Sequence, residues 1–464
     1  PVGWVTTALQ DQKRRRTSMS DQRALLPKID TLLDPILVEQ FGRDRVLRHA
    51  RRLVDDCRQR IAQGHKMDLD AIPTQLFNSL NDGLSGVING TGVLLHTNLG
   101  RAPWGENARH AARAAQGYCN VEFDLAAGRR GKRGLAVEDR ICALMKAPAA
   151  LVVNNCAGAV MLMLAALAQG RSVLVSRGEL VEIGGGFRVP DVMKASGADL
   201  LEVGTTNKTH LTDYQNALAD DVVGVLRIHH SNFKQIGFVA QPLLSELATL
   251  PTRLLVDLGS GQLSYDAAEP SVAEAMAAGA DIVCMSGDKL LGGPQSGIMI
   301  GRVDAIEQIR KHPMYRALRP DKTILAALEA TIDDWLRQKP TPLEQMRQLT
   351  SDELKDRVSV WCQELHTFGS ADAVRTEATI GGGSLPGQNF ESVGIAIEHP
   401  QINLLQSALL NSKPPVIGRV RNQRLIFDAR AIIILQQEAM FLDAIKSALK
   451  GLDTQTSEAD QTGH

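Results

Sequence analysis

The hydrophobic positions of this chain follow two regimes. From Arg23 to Leu80 they recur at helical spacing: Leu32, Leu33, Ile36 and Leu37, then Val46, Leu47, Leu53, Val54 and Ile61. That spacing predicts amphipathic helices. From about 149 to 301 short apolar runs take over, at 149–154, 172–176, 200–204, 222–229, 253–258, 281–285 and 297–301. Helical stretches such as 157–168 and 272–278 lie between them. The alternation predicts an α/β domain, a largely parallel sheet covered by helices on both faces. Beyond Lys339-Pro340-Thr341-Pro342 helices mix with short strands, including 415–420 and 424–428, as in a smaller α+β domain. The expected order is a leader over 1–18 and a helical module over 19–82, closed by Asn81-Asp82-Gly83-Leu84-Ser85-Gly86. A large domain over 83–340, an α+β domain over 341–452 and an irregular tail over 453–464 follow.

Composition adds little to this picture and removes some alternatives. The 464 residues, 44% hydrophobic and 22% charged, suit a soluble globular protein of two or three domains. A net charge of −1 supplies no global field for nucleic acid, so any such contact must come from a local patch. One candidate patch lies between residues 43 and 60, where seven arginines face Asp44, Asp55 and Asp56. It is either a solvated, salt-bridged helix face or a phosphate-contact surface, and spacing alone leaves both open. The six cysteines are scattered without a CxxC pair, as expected for reduced thiols in a cytoplasmic protein. No apolar run approaches the roughly 20 residues of a membrane span. The first residue is Pro1, and Gln12-Lys13-Arg14-Arg15-Arg16 precedes Met19 without the apolar core of a signal peptide. Residues 1–18 therefore read as an unstructured leader, with Met19 as the start.

The candidate chemistry gathers at the predicted strand ends, where ligands sit in such folds. Ser286-Gly287-Asp288-Lys289-Leu290-Leu291-Gly292-Gly293 places one lysine in a glycine-rich loop after an apolar strand. Glycines there would let a flat ligand approach the backbone. Asp257 ends the preceding strand, where a pyridinium nitrogen could find its partner. Asn154-Asn155-Cys156-Ala157-Gly158 marks a strand turning into a helix, whose free N–H groups suit a phosphate. Arg101 lies in an Asn-Leu-Gly-Arg loop suited to an anion, and Arg316 and Arg319 would face one anion together on a helical turn. The basic loop 127–133 is either a surface turn or an active-site flap. No HExxH, GxSxG or GxxxxGK[ST] occurs, and the histidines lack metal-ligand spacing, so no metal site is expected. A lysine, an aspartate, a serine three residues before the lysine and a phosphate-ready helix end together describe a pyridoxal 5'-phosphate (PLP) enzyme of aminotransferase-like architecture, fold type I.

Longer segments carry a more specific resemblance: 88–101 (INGTGVLLHTNLGR), 176–185 (SRGELVEIGG), 203–207, 257–261, 286–297, 316–319, 381–386 and 415–419. These resemble the bacterial L-seryl-tRNA(Sec) selenium transferase (selenocysteine synthase) family from about residue 24 to 450. The resemblance implies that Lys289 is the Schiff-base lysine and general base, and that Asp257 partners the pyridine nitrogen. It implies that Ser286 and the turn Asn155, Cys156, Ala157 and Gly158 bind the cofactor phosphate, and that Asn232 contacts the ring's phenolic oxygen. Arg101, Arg316 and Arg319 would bind selenophosphate, with Asp288 handling protons near the selenium. The implied reaction is β-elimination of the serine hydroxyl of seryl-tRNA(Sec) followed by selenium addition. The N-terminal helices would bind tRNA, and the assembly would be a cytoplasmic homodecamer, a pentamer of dimers, with no membrane partner. Cys156 departs from the family, which often carries asparagine there. The competing readings are a PLP-dependent lyase acting on a small phosphorylated amino acid or amino sugar acid, and a non-catalytic tRNA-binding protein.

Overall fold

A computed structural model of the chain describes residues 22–461, except 82, 184, 185, 230–234, 264–270 and 386. The expected leader lies outside the described residues. The chain divides into two compact units, Pro1–Gly86 and Val87–His464.

In the first unit, helix α1 (Arg43–Ala62) packs on α2 (Ile72–Leu80). Val46, Ala50, Val54, Cys57 and Ile61 recur every three or four residues, so all five fall on one stripe, and all are buried against Ile72, Leu76 and Leu80. The same periodicity turns all seven arginines to the exposed side. Arg45 bends back to donate from Nη2 to the Leu80 carbonyl at the end of α2 (2.7 Å), and Arg58 pairs with Asp55 at 2.8 Å.

The second unit is built on a seven-stranded sheet: β1 (Ala149–Val153), β2 (Ser172–Ser176), β3 (Asp199–Val203), β4 (Val222–Ile228), β5 (Arg253–Gly259), β6 (Ile282–Ser286) and β7 (Gly297–Gly301). Their order is β1-β7-β6-β5-β4-β2-β3. All pairs are parallel except those of β7, which runs antiparallel to β1 and β6. Apolar side chains from alternate positions enter two separate cores, one holding Val152, Leu174, Val256 and Val283, the other Leu151, Val173, Leu255 and Cys284. Burial on both faces explains why the strands other than the mostly exposed edge strand β3 read as apolar runs. Helix α3 (Cys156–Ala168) follows β1 and lies in the second core, and the short helix α4 (Pro313–Ala317) follows β7.

A four-stranded antiparallel sheet, β8 (Ser370–Thr379), β9 (Asn389–Glu398), β10 (Arg419–Arg421) and β11 (Arg424–Asp428), packs with α5 (Ser351–Leu365) and α6 (Glu438–Gln461) around Trp361, Phe427 and Phe441. Two features differ from the expected domain plan. Residues 88–95, assigned to the large domain, bond to the C-terminal one: Ile88 and Asn89 pair with Val416 and Ile417, and Leu94 and Leu95 donate to Thr379 and Ile380. The tail expected to be irregular from 453 continues α6 to Gln461, since neither proline nor glycine interrupts 453–461.

Candidate active site

Parallel pairing brings the proposed groups to one edge of the sheet. Asp257 stands beside Ile228 of β4 and Cys284 of β6, and His229 donates its N–H to the Asp257 carbonyl (2.9 Å). Lys289 lies in the loop after β6. Both side chains are buried, Asp257 at 9% and Lys289 at 8% exposure. Gly259 has φ +61°, and a Cβ added there would stand 3.7 Å from Lys289 Nζ and 3.9 Å from Asp257 Oδ1. Gly259 thus lies beside both the amine and the carboxylate, and its positive φ is what favours glycine there.

The glycines around the lysine do a different job from the one expected. Gly292 (φ +73°) abuts Thr341 Oγ1, where a Cβ would approach to 2.6 Å, and Gly293 donates to the Gly287 carbonyl (2.9 Å). They fold the loop tightly on the protein, and Leu290 N–H ties it to the Ser260 carbonyl (3.0 Å).

At the start of α3, Asn155 Oδ1 accepts from Gly158 N–H (2.7 Å) as an N-cap, and its carbonyl accepts from Ala159. The Gly158 donor is thus taken by the protein, and the leading N–H groups of Cys156 and Ala157 are those left for an anion. Cys156 Sγ donates to Asp257 Oδ1 at 3.6 Å, and the Ser286 side chain lies near the same thiol. The thiol thus sits between the two groups expected to hold opposite ends of one cofactor. Burial pushes the Cys156 thiol well above its ordinary range, so it is a neutral donor. Burial also pushes Asp257 up, against the Lys289 charge and the Cys156 hydrogen bond, which favour the carboxylate. A cationic ring nitrogen beside Asp257 would supply the counter-charge that this buried carboxylate calls for. On these grounds the residues present fit PLP.

Arg101 has φ +62°, donates its backbone N–H to the His96 carbonyl (3.1 Å), and bonds Asp288 Oδ2 through Nη1 at 2.7 Å. Asp288 is buried, and its Oδ1 and Arg101 Nε have no protein partner. Arg316 and Arg319 do not share a helical turn as expected. Helix α4 stops at Ala317 because Arg319 precedes Pro320, which disfavours helical backbone before it. Arg316 is exposed, whereas half-buried Arg319 stacks over Tyr315 (5.2 Å) and faces Glu122 at 3.8 Å. The turn carrying them is tied to the phosphate turn, since Asn154 N–H donates to the Leu318 carbonyl (2.8 Å). The basic loop forms a small hairpin, Phe123–Asp124 paired with Arg129–Arg130. Asn232 lies outside the described residues.

Two residues without an assigned role in the sequence reading help build this edge. Glu122 gathers Arg130, Arg133 and Arg319, and no sequence signal marks it. Glu179, inside one of the quoted segments, is fully buried, accepts from Ile228 N–H (3.0 Å) and faces Arg227 Nε (3.2 Å). It fixes the end of β4 beside Asp257. Burial outweighs these partners and pushes its carboxyl up to about 7.

The sheet order, with a buried lysine and aspartate at neighbouring strand ends, defines a PLP-dependent enzyme of fold type I. The chain belongs to the L-seryl-tRNA(Sec) selenium transferase family: a family profile described as L-seryl-tRNA selenium transferase matches residues 87–433. It is 42% identical over 441 residues to the L-seryl-tRNA(Sec) selenium transferase of Hyphomonas neptunium, covering 88% of this chain and 95% of that protein. To the protein so named in Desulfotalea psychrophila it is 44% identical over 372 residues, covering 75% and 79%. Among solved structures, D-glucosaminate-6-phosphate ammonia-lyase matches with a TM-score of 0.54 at 16% identity, over 81% of this chain and 98% of that one, a likeness of fold. Among the described residues no helix is long and apolar enough to cross a membrane.

Proposed function

We propose that this protein converts seryl-tRNA(Sec) to selenocysteinyl-tRNA(Sec) with PLP as cofactor and selenophosphate as selenium donor. The observation that carries the reading is the pair of buried groups, Lys289 amine and Asp257 carboxylate, both beside Gly259, in a chain of this family. Bound PLP would supply an electron sink that loosens the α-proton and the β-substituent of the serine.

The chain's own residues account for the rest. Asp257 holds the ring nitrogen protonated, with Cys156 orienting its Oδ1. Cys156 and Ala157 N–H groups and the Ser286 hydroxyl bind the phosphate, while Asn155 and Gly158 shape the turn that presents them. Asn232, outside the described residues, is assigned to the ring's phenolic oxygen on the family resemblance alone. The Lys289 amine would hold the cofactor and, freed from it, would take the α-proton of the serine as general base. The C–O bond of the β-hydroxyl would break, the hydroxyl leaving with a proton as water. Selenium would then bond to the same carbon, its bond to phosphorus being cleaved by water to release orthophosphate, and a proton would return to the α-carbon. Arg101, Arg316 and Arg319 bind the donor anion, for which guanidinium forks suit a phosphate-like group. Asp288 holds Arg101 in place and handles protons beside the entering selenium.

The exposed arginine face of α1 supports a tRNA-binding role for the first unit. That unit, and 42% identity along nearly the whole chain, favour this substrate over a small phosphorylated amino acid or amino sugar acid. Family membership supports a cytoplasmic homodecamer built from dimers. The test is formation of selenocysteinyl-tRNA(Sec) by the purified protein from seryl-tRNA(Sec) and selenophosphate.

A further inference from the structure

Beside the turn that carries Arg319 lies a cavity of about 250 Å³, in which Arg130, Lys132, Arg133, Arg310 and Arg319 surround a single carboxylate, Glu122. Arg310 is already neutralised, since it grips buried Glu138 through two hydrogen bonds of 2.9 Å. Lys132 lines the same cavity, and three cations, Arg130, Arg133 and Arg319, then share Glu122. Its contacts to Arg130 and Arg133 are 3.4 Å each and that to Arg319 is 3.8 Å, all longer than the roughly 2.7–2.9 Å of a full charge-assisted hydrogen bond. Arg133 Nε and Arg319 Nε are buried without a protein partner. Partly buried guanidinium groups left short of acceptors are a site waiting for an anion.

The surroundings narrow the anion. The cavity wall is the hairpin Phe123–Asp124 with Arg129–Arg130. Phe123 is 48% exposed on that hairpin and borders an open groove on its other side, which shares Arg130 and Lys132 with the cavity. An exposed ring beside a row of cations is what a single-stranded nucleotide uses, the base stacking while its phosphate meets the guanidinium. A small free anion has no use for the ring. The cavity borders a turn that is tied to the proposed phosphate turn. Arg133 Nη2 donates to the Pro320 carbonyl (2.6 Å), and the same turn accepts from Asn154 at the phosphate turn.

We infer that the 123–133 hairpin forms a phosphodiester site for the single-stranded 3′ end of an RNA substrate beside Arg319, which stays with the donor anion, Arg130, Lys132 and Arg133 meeting backbone phosphate and Phe123 stacking a base. This rests on the proposed tRNA substrate and adds the part of the second unit that would receive its charged end.

The test uses the full chain and a fluorescent single-stranded RNA tetranucleotide ending in CCA, with binding read by anisotropy between about 50 and about 200 mM salt. Arg130→Ala/Lys132→Ala should weaken binding about tenfold and lower the slope of log affinity against log salt by about 1–2. Arg130→Lys/Lys132→Arg should restore both. Phe123→Ala should weaken binding about fivefold or more and leave the salt slope unchanged. Wild-type affinity in the double alanine variant would overturn the site. Inorganic phosphate competing fully while Phe123→Ala changes nothing would mark a small-anion site and overturn the RNA assignment. With seryl-tRNA(Sec), the double variant should raise KM for the tRNA and not for selenophosphate. A wild-type protein inactive on seryl-tRNA(Sec) would sink the proposed function itself, and the oligonucleotide result would stand apart from it.

Discussion

Arg101 Nη1 lies 2.7 Å from Asp288 Oδ2, so the residue immediately before the proposed Schiff-base lysine holds the arginine proposed to receive the donor anion. The carboxylate is buried and the arginine side chain is 28% exposed. Arg101→Ala would leave a buried carboxylate without its partner, which costs about 1–3 kcal/mol. Urea unfolding should show a loss of that size, and adding Asp288→Asn should recover part of it. Strictly additive losses in the double variant would contradict the coupling.

The Cys156–Asp257 contact predicts a graded series. Cys156→Ala removes a donor to the carboxylate, a loss of about 0.5–1.5 kcal/mol, or roughly two- to tenfold in PLP affinity. Cys156→Ser keeps a hydroxyl donor and should retain most of that affinity, as read by titration of the apoprotein with PLP. If alanine and serine behave alike, the thiol only fills space.

Glu179 predicts a pH dependence of stability. Its carboxyl is pushed from 4.5 to about 7 in the folded chain, so the folded state binds the proton more tightly than the unfolded one. The contribution is fully present below about pH 4.5 and is lost as pH rises through about 7, a change on the order of 3 kcal/mol. Glu179→Gln removes the titration. The stability difference between wild type and Glu179→Gln, from urea unfolding at several pH values, should therefore fall against the wild type across that window. A flat difference would contradict the raised carboxyl.

The arginine face of α1 predicts salt-dependent tRNA binding. Arg48 and Arg52 are exposed one helical turn apart. Arg48→Glu/Arg52→Glu should weaken tRNA binding and lower the salt slope by about 2, while PLP binding is unchanged. Unaltered tRNA affinity would remove this face from the interface.

How much of this was legible in the sequence differs by element. Six strands of the main sheet came through as apolar runs because burial on both faces removes the polar positions that would blur them, whereas the edge strand β3 is mostly exposed. Lys289 and Asp257 were legible because each stands where an apolar strand ends. Contacts made only by the folded chain were not. Glu122 meets Arg133 and Arg319 across long stretches of chain, and nothing near it in sequence signals that. The Arg316 and Arg319 spacing suggested one helical turn, but Pro320 ends the helix before Arg319. Glycines near Lys289 drew attention by density, whereas the one facing the amine is Gly259, on another strand. Residues 88–95 carried no mark of their pairing with the C-terminal sheet, since two-residue strands leave no periodicity.

The most direct measurement incubates the purified protein with PLP, selenophosphate and seryl-tRNA(Sec), and follows selenium incorporation into the aminoacyl group, with Lys289→Ala alongside. The account predicts selenocysteinyl-tRNA(Sec) from the wild type, and from Lys289→Ala neither product nor the visible absorption of lysine-bound PLP. Absence of product from an active, PLP-loaded wild type that instead releases ammonia from a small substrate would contradict it, as would a Lys289→Ala variant that keeps both absorption and turnover.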